Sequence, residues 1–157
     1  MIEAPEARIL CRQLNETVRG KKITDVYTQF SPHKFAWFTG SSEEYAEQLS
    51  GKTIDHAQSQ GGMVEITIGD KVLILTDGVN LRYLAPGSKL PAKHQLLIAF
   101  EDESCLVASV RMYGGLMCYD KDAANGVLSN YYLTARSKPQ VMSDGFSPEY
   151  FLFYSTY

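Results

Sequence analysis

The sequence predicts a mainly β domain of the α+β class, an antiparallel two-sheet β-sandwich or flattened barrel with an amphipathic helix at its N-terminus. Two observations carry this. From Met63 to Tyr119, short apolar or alternating runs are separated by turn-forming residues, the pattern of antiparallel strands. Ahead of them, Ala7, Leu10, Cys11, Leu14 and Val18 recur at the spacing of one helix face.

The helix is expected from Pro5 to Arg19, because proline suits a first helical turn and Gly20 suits the end. Lys22 to Phe30 reads as a strand through Ile23, Val26 and Tyr27. Ser41 and Ser42, then Glu43 and Glu44 before Tyr45, Ala46 and Leu49, read as a short capped helix closed by Gly51. Met63 to Ile68 alternates, and Gly69-Asp70 makes a hairpin turn into the apolar run Lys71 to Leu75. His94 to Phe100 and Cys105 to Val110 flank the turn Glu101 to Ser104, and Gly115 to Tyr119 supplies a further strand. Trp37 is assigned to the core.

Beyond these elements, Asn130 to Ala135 reads as a strand or a helical turn, and residues 137–145 have the composition of a linker. Residues 146–157 begin another helix, with Ser147 as cap and Pro148 in its first turn. The expected organisation is therefore a domain over 1–136, a linker, and the start of a second unit.

A chain of 157 residues is long enough for one domain with its own core. No apolar run approaches the ~20 residues of a membrane span, and the start has no signal-peptide core, so the expectation is a cytoplasmic protein with no membrane partner. Cys11, Cys105 and Cys118 each lie in an apolar stretch, which suits buried thiols in a reducing compartment; no C-x-x-C pair suggests zinc. The net charge of −3 weighs against nucleic acid, because duplex binding draws on basic surface that releases counterions. Charge distribution matters more than its sum. Arg8, Arg12, Arg19, Lys21, Lys22, Lys89, Lys93 and Arg111 can form a local basic face while Glu101, Asp102 and Glu103 form a separate acidic turn.

Three places narrow the function. The opening Met1-Ile2-Glu3-Ala4-Pro5-Glu6-Ala7 is similar to the Met-Pro-Glu-Leu-Pro-Glu-Val start of the formamidopyrimidine-DNA glycosylase and endonuclease VIII family. Lys93-His94-Gln95, a strand, Phe100-Glu101-Asp102, a second strand and Arg111-Met112-Tyr113-Gly114 resemble that family's Lys-His-Asp-His, strand, acidic turn and Arg-Arg-Phe-Gly series. Asp77 to Leu81 stands where the family has a Gly-Met-Ser-Gly-like loop. The resemblance covers about residues 1 to 120, and the tail at Phe146 would enter the family's helix-two-turn-helix domain. It implies no cofactor here, since the family's zinc finger lies in a C-terminal region absent from these residues.

The resemblance implies base-excision chemistry on double-stranded DNA. In the family the initiator methionine is removed and the exposed proline amine attacks C1′ of a damaged nucleotide; an α-amino group suits this because its pKa lies near 7.7–8.0. Ile2 occupies that position here, and its bulk disfavours removal of Met1. Glu3 matches the family's general acid and Glu6 a second acidic residue, although both also read simply as carboxylates favoured by a helix N-terminus. Ser59-Gln60-Gly61-Gly62-Met63 has glycines where the family has a phosphate-binding lysine, and Thr76 stands where many members have a histidine. Arg111 and Tyr113 match the side chains that enter the duplex, with Val79, or Asn80 with Leu81, filling the void, while His94 and Lys93 are candidates for phosphate. The expected function is a damaged-DNA-binding paralogue with lost or reduced activity, binding weakly without the second domain. An active glycosylase and lyase using another amine, such as that of Met1, and a protein-interaction module that has left DNA are the alternatives.

Overall fold

The computed structural model describes residues 2–28, 30–31, 33–39 and 41–121. The strand or turn at Asn130 to Ala135, the linker 137–145 and the helix 146–157 lie outside the described residues.

The N-terminal helix α1 spans Ala4–Thr17, with Pro5 in its first turn, and buries Ala7, Cys11 and Leu14. Seven strands follow among the described residues: β1 Ile23–Tyr27, β2 Ala36–Phe38, β3 Ile54–Gln60, β4 Met63–Ile68, β5 Lys71–Leu84, β6 Leu96–Phe100 and β7 Cys105–Asp120. Between β2 and β3 a 3-10 turn, Ser42–Glu44, leads into the short helix α2, Tyr45–Leu49. Ser41 caps that turn by position alone, without a side-chain hydrogen bond.

The strands run in the order β1-β6-β7-β5-β4-β3, with neighbours antiparallel and β2 added to β7 in parallel. The two ends of this path meet. Lys22 bridges Thr53, the Gly20 N–H donates to the Ile54 carbonyl (2.8 Å), and the Ile23 N–H donates to the Lys52 carbonyl (2.8 Å). The sheet therefore closes as a flattened barrel, which leaves no fully open edge between its first and last strands. Val64, Ile66 and Ile68 of β4, Leu73, Leu75 and Val79 of β5, Leu96 and Ile98 of β6, and Leu106 and Leu116 of β7 share one core with the apolar face of α1. The Asn15 amide fastens α1 to β3: it donates to the Ala57 carbonyl (2.9 Å) and accepts from the Ala57 N–H (2.8 Å), as a strand neighbour would.

The architecture agrees with the expectation from sequence, and several elements differ. β5 continues to Leu84 where a run ending at Leu75 and a loop over Asp77 to Leu81 were expected, and β7 is one strand where two were expected, because Asp77-Gly78 and Gly114-Gly115 bend strands and do not end them. β3 carries too many polar residues, His56, Gln58, Ser59 and Gln60, to declare itself as a strand. All six residues of β4 are buried, so its alternation separates two covered faces: Val64, Ile66 and Ile68 face the main core, while Met63 packs with Val72, Ile74 and Met117. Trp37 is not in the core; it is 46% exposed, whereas its neighbours Ala36 and Phe38 pack inward.

All three cysteines are buried and free. Burial pushes the Cys11 thiol up to about 12 and the Cys118 thiol up to about 11, and raises Cys105 as well. The reactive thiolate is therefore scarce at pH 8. A disulfide reagent at that pH should label none of the three quickly in the folded protein and all three in denaturant; rapid labelling without denaturant would contradict this packing.

Candidate nucleic-acid interface

The β5–β7 pair is regular except at one place. Asp77 pairs with Gly114 and Val79 with Val110, so Gly78 alone faces the three residues Arg111, Met112 and Tyr113. Asp77 has a φ of +59°, a left-handed conformation uncommon outside glycine but tolerated by aspartate. A side chain on Gly78 would place its Cβ 2.3 Å from the Tyr113 carbonyl oxygen, and one on Gly114 would stand 2.8 Å from Val79 Cγ2. These glycines allow the close approach that throws the three opposing residues outward. Arg111 is exposed, Met112 is 74% exposed, and Tyr113 is half-buried with its ring 5.7 Å from that of Trp37. The duplex-probing loop expected from sequence is thus a bulge inside one long strand.

Buried polar side chains hold the bulge. The Gln95 side-chain oxygen accepts from the Val110 N–H (2.6 Å), and its amide nitrogen donates to the Ser31 carbonyl (2.8 Å). The Thr76 hydroxyl accepts from the Gly115 N–H (3.2 Å) and donates to the Asp77 carboxylate (3.0 Å). On the far side of β7, the Gly114 N–H donates to the Phe35 carbonyl (3.0 Å), which sets the parallel register of β2.

The N-terminal segment reaches the same point. The Ile2 N–H donates to the Asp77 carbonyl (2.6 Å), and the Ile2 side chain is in the core at 6% exposure. Gly62, in the β3–β4 turn, lies so close that a Cβ there would stand 2.8 Å from the Ile2 carbonyl oxygen. Glu3 is the extended residue before α1; its carboxylate is exposed and makes no capping bond. Glu6 is exposed in the first helical turn.

Other sequence-derived candidates are placed differently. Val79 is a core residue under Gly114, and Leu81 packs on the same core, so neither projects to fill a void; Asn80 between them is exposed on the opposite face of β5. His94 is 2% exposed, stacked on Phe30 with ring centres 4.3 Å apart. Its Nδ1 lies 3.2 Å from the Pro91 carbonyl, which can only accept, so that nitrogen carries the proton. A ring so enclosed does not reach phosphate, whereas Lys93 beside it is exposed. The acidic turn is not separate from the basic residues: Lys21 pairs with Asp102, and Lys22 with Glu101 at 3.8 Å. Lys21 holds the Asp102 carboxyl well below the usual carboxylate range, with Ser104 adding two further bonds. Gln95, Gly78, Phe35 and Trp37 were missed as site residues; the Lys93-His94-Gln95 motif marked the place of Gln95 but not its partner.

Among the described residues no group of three or more His, Cys, Asp or Glu could hold a metal ion, and no helix is long and apolar enough to cross a membrane.

The closed β-sheet with its leading helix matches the N-terminal domain of DNA repair glycosylases. The profile of the formamidopyrimidine-DNA glycosylase N-terminal domain matches residues 1–95, and the chain belongs to that family. Among solved structures, a complex of the LlFpg protein with a THF-DNA and an inhibitor is 25% identical, with a TM-score of 0.68 over 84% of this chain and 48% of that one. Lactococcus lactis Fpg with DNA containing an abasic site has a TM-score of 0.69 at 24% identity, covering the same shares. MutM in complex with carbocyclic 8-oxo-G containing DNA gives 0.68 at 24% identity, again over 84% and 48%. The chain spans about half the length of these proteins. No curated protein sequence matches it.

Two substitutions test the construction of the bulge. Gly78→Ala must push the Tyr113 carbonyl aside and should cost about 1–3 kcal/mol in urea unfolding. Gln95→Leu leaves the buried Val110 N–H without its acceptor and should cost a similar ~1–3 kcal/mol. A neutral result for either would mean that the bulge is held by other contacts.

Proposed function

We propose that this chain is the N-terminal domain of a base-excision-repair protein that binds double-stranded DNA and has lost or reduced glycosylase and lyase activity. The observation that carries the reading is Ile2. The family resemblance implies a free proline amine at this place; here the nitrogen follows Met1 and donates its hydrogen to the Asp77 carbonyl at 2.6 Å. An amide nitrogen delocalises its lone pair into the adjoining carbonyl and is not a nucleophile. Core burial of the Ile2 side chain fixes the segment, and the contact of Gly62 with its carbonyl leaves no room for a longer side chain at the β3–β4 turn. The exposed carboxylate of Glu3 is then a general acid without a nucleophile to assist.

DNA binding is supported by the exposed Arg111 on its bulge and by the DNA complexes among the similar structures. Affinity should be low, because Lys21, Lys22, Lys52 and Lys71 are engaged by Asp102, Glu101, Asp70 and Asp120. Each lysine so paired displaces fewer counterions, and each phosphate contact adds a salt slope of roughly 0.9.

Borohydride reduction on a duplex with one abasic site separates the alternatives, since only a Schiff base becomes covalent. The natural chain should give no adduct while binding the same duplex at low salt, and Arg111→Ala should weaken that binding several-fold. An adduct with the natural chain would establish an active lyase using another amine. An adduct gained only by Ile2→Pro would identify position 2 as the cause of the loss. No binding at low salt would favour the protein-interaction reading.

A further inference from the structure

Beside the bulge lie two aromatic side chains, Phe35 and Trp37, that the base-excision reading does not use. Phe35 and Trp37 are 47% and 46% exposed, two residues apart on the outward face of the β2 segment, while Ala36 and Phe38 point into the core. In the parallel register Trp37 stands beside Gly115, a residue without a side chain, and the Tyr113 ring lies 5.7 Å away at a 40° tilt. Two cations frame these rings. Lys34 Nζ sits 5.6 Å from the centre of the Phe35 ring, and Arg111 is exposed two residues before Tyr113. Neither forms an ion pair among the described residues, in contrast to Lys21, Lys52 and Lys71.

Exposed apolar residues scattered singly are ordinary, but rings gathered on one surface mark an interaction site. Cations beside aromatic faces match a ligand that carries both negative charge and flat rings, which is an unstacked nucleotide. An intact duplex offers phosphates but hides its ring faces in the stack. Resting on the DNA-binding reading above, we propose that Phe35, Trp37 and Tyr113 form a stacking shelf for an unpaired nucleobase, with Lys34 and Arg111 on the flanking phosphates. The domain accordingly prefers DNA with unpaired bases to intact duplex. Base stacking on protein rings tolerates any sequence, because every base has a π-face.

Trp37 is the only tryptophan in the 157-residue chain, so its emission reports on the shelf directly. The chain is titrated at low salt with a labelled oligothymidylate and with a duplex of equal length, reading both DNA anisotropy and tryptophan emission. Oligothymidylate should bind several-fold more tightly than duplex and quench Trp37. Trp37→Leu and Phe35→Ala should weaken oligothymidylate binding about tenfold, and Trp37→Phe should retain most of it; both positions are exposed, and thermal melting confirms folding. Oligothymidylate binding with unchanged emission, or with full affinity in Trp37→Leu, overturns the shelf. Duplex binding that equals or exceeds oligothymidylate binding overturns the preference while leaving the DNA reading intact. Binding to neither form overturns both.

Discussion

The structure depends on the antiparallel pairing of β5 with β7 and on the single place where it is unequal. Gly78 opposes Arg111, Met112 and Tyr113, and a side chain at Gly78 would collide with the Tyr113 backbone. Two long strands that must remain paired on both sides of such a mismatch have no option but to bend there and expel the extra residues. That one defect bends the sheet and exposes an arginine and a methionine at its crest, with a half-buried tyrosine beside them.

The same point anchors the N-terminus. Asp77 accepts the Ile2 N–H, and the next residue backs onto Tyr113, so the start of the chain and the bulge are linked through two consecutive residues. The family resemblance implies a reactive amine at the first residue, and this linkage would hold such a group beside the bulge. Isoleucine occupies position 2 here, and its side chain serves the core.

Charge is arranged with similar economy. Asp102 holds Lys21, with Tyr83 and Ser104 also contacting its ammonium group, and this cluster joins β1, β5 and the β6–β7 turn. Lysines that look available in the sequence therefore stabilise strand ends. Exposed pairs of this kind contribute little to stability individually, but they remove positive charge from the surface that phosphate could meet. Lys34, beside the β2 strand that pairs with Gly114, and Arg111 on the bulge are in no such pair among the described residues.

From the sequence alone the helix α1, the β-rich class, the Gly69-Asp70 hairpin and the family were legible, because helical spacing, turn residues and ordered motifs are local signals. That Arg111 and Tyr113 belong to one short motif was legible for the same reason, and both lie in the bulge opposite Gly78. The tertiary structure decided what local signals do not contain. It showed that Val79 and His94 are enclosed, since burial depends on what packs from elsewhere in the chain, and that Trp37 is exposed, since its face is set by the pairing of β2 with β7. It also showed that the acidic turn meets Lys21 and Lys22 across the fold. Sequence determined which residues were available for binding; closure of the sheet determined which of them face solvent, because residues far apart along the chain become neighbours only when its two edges meet.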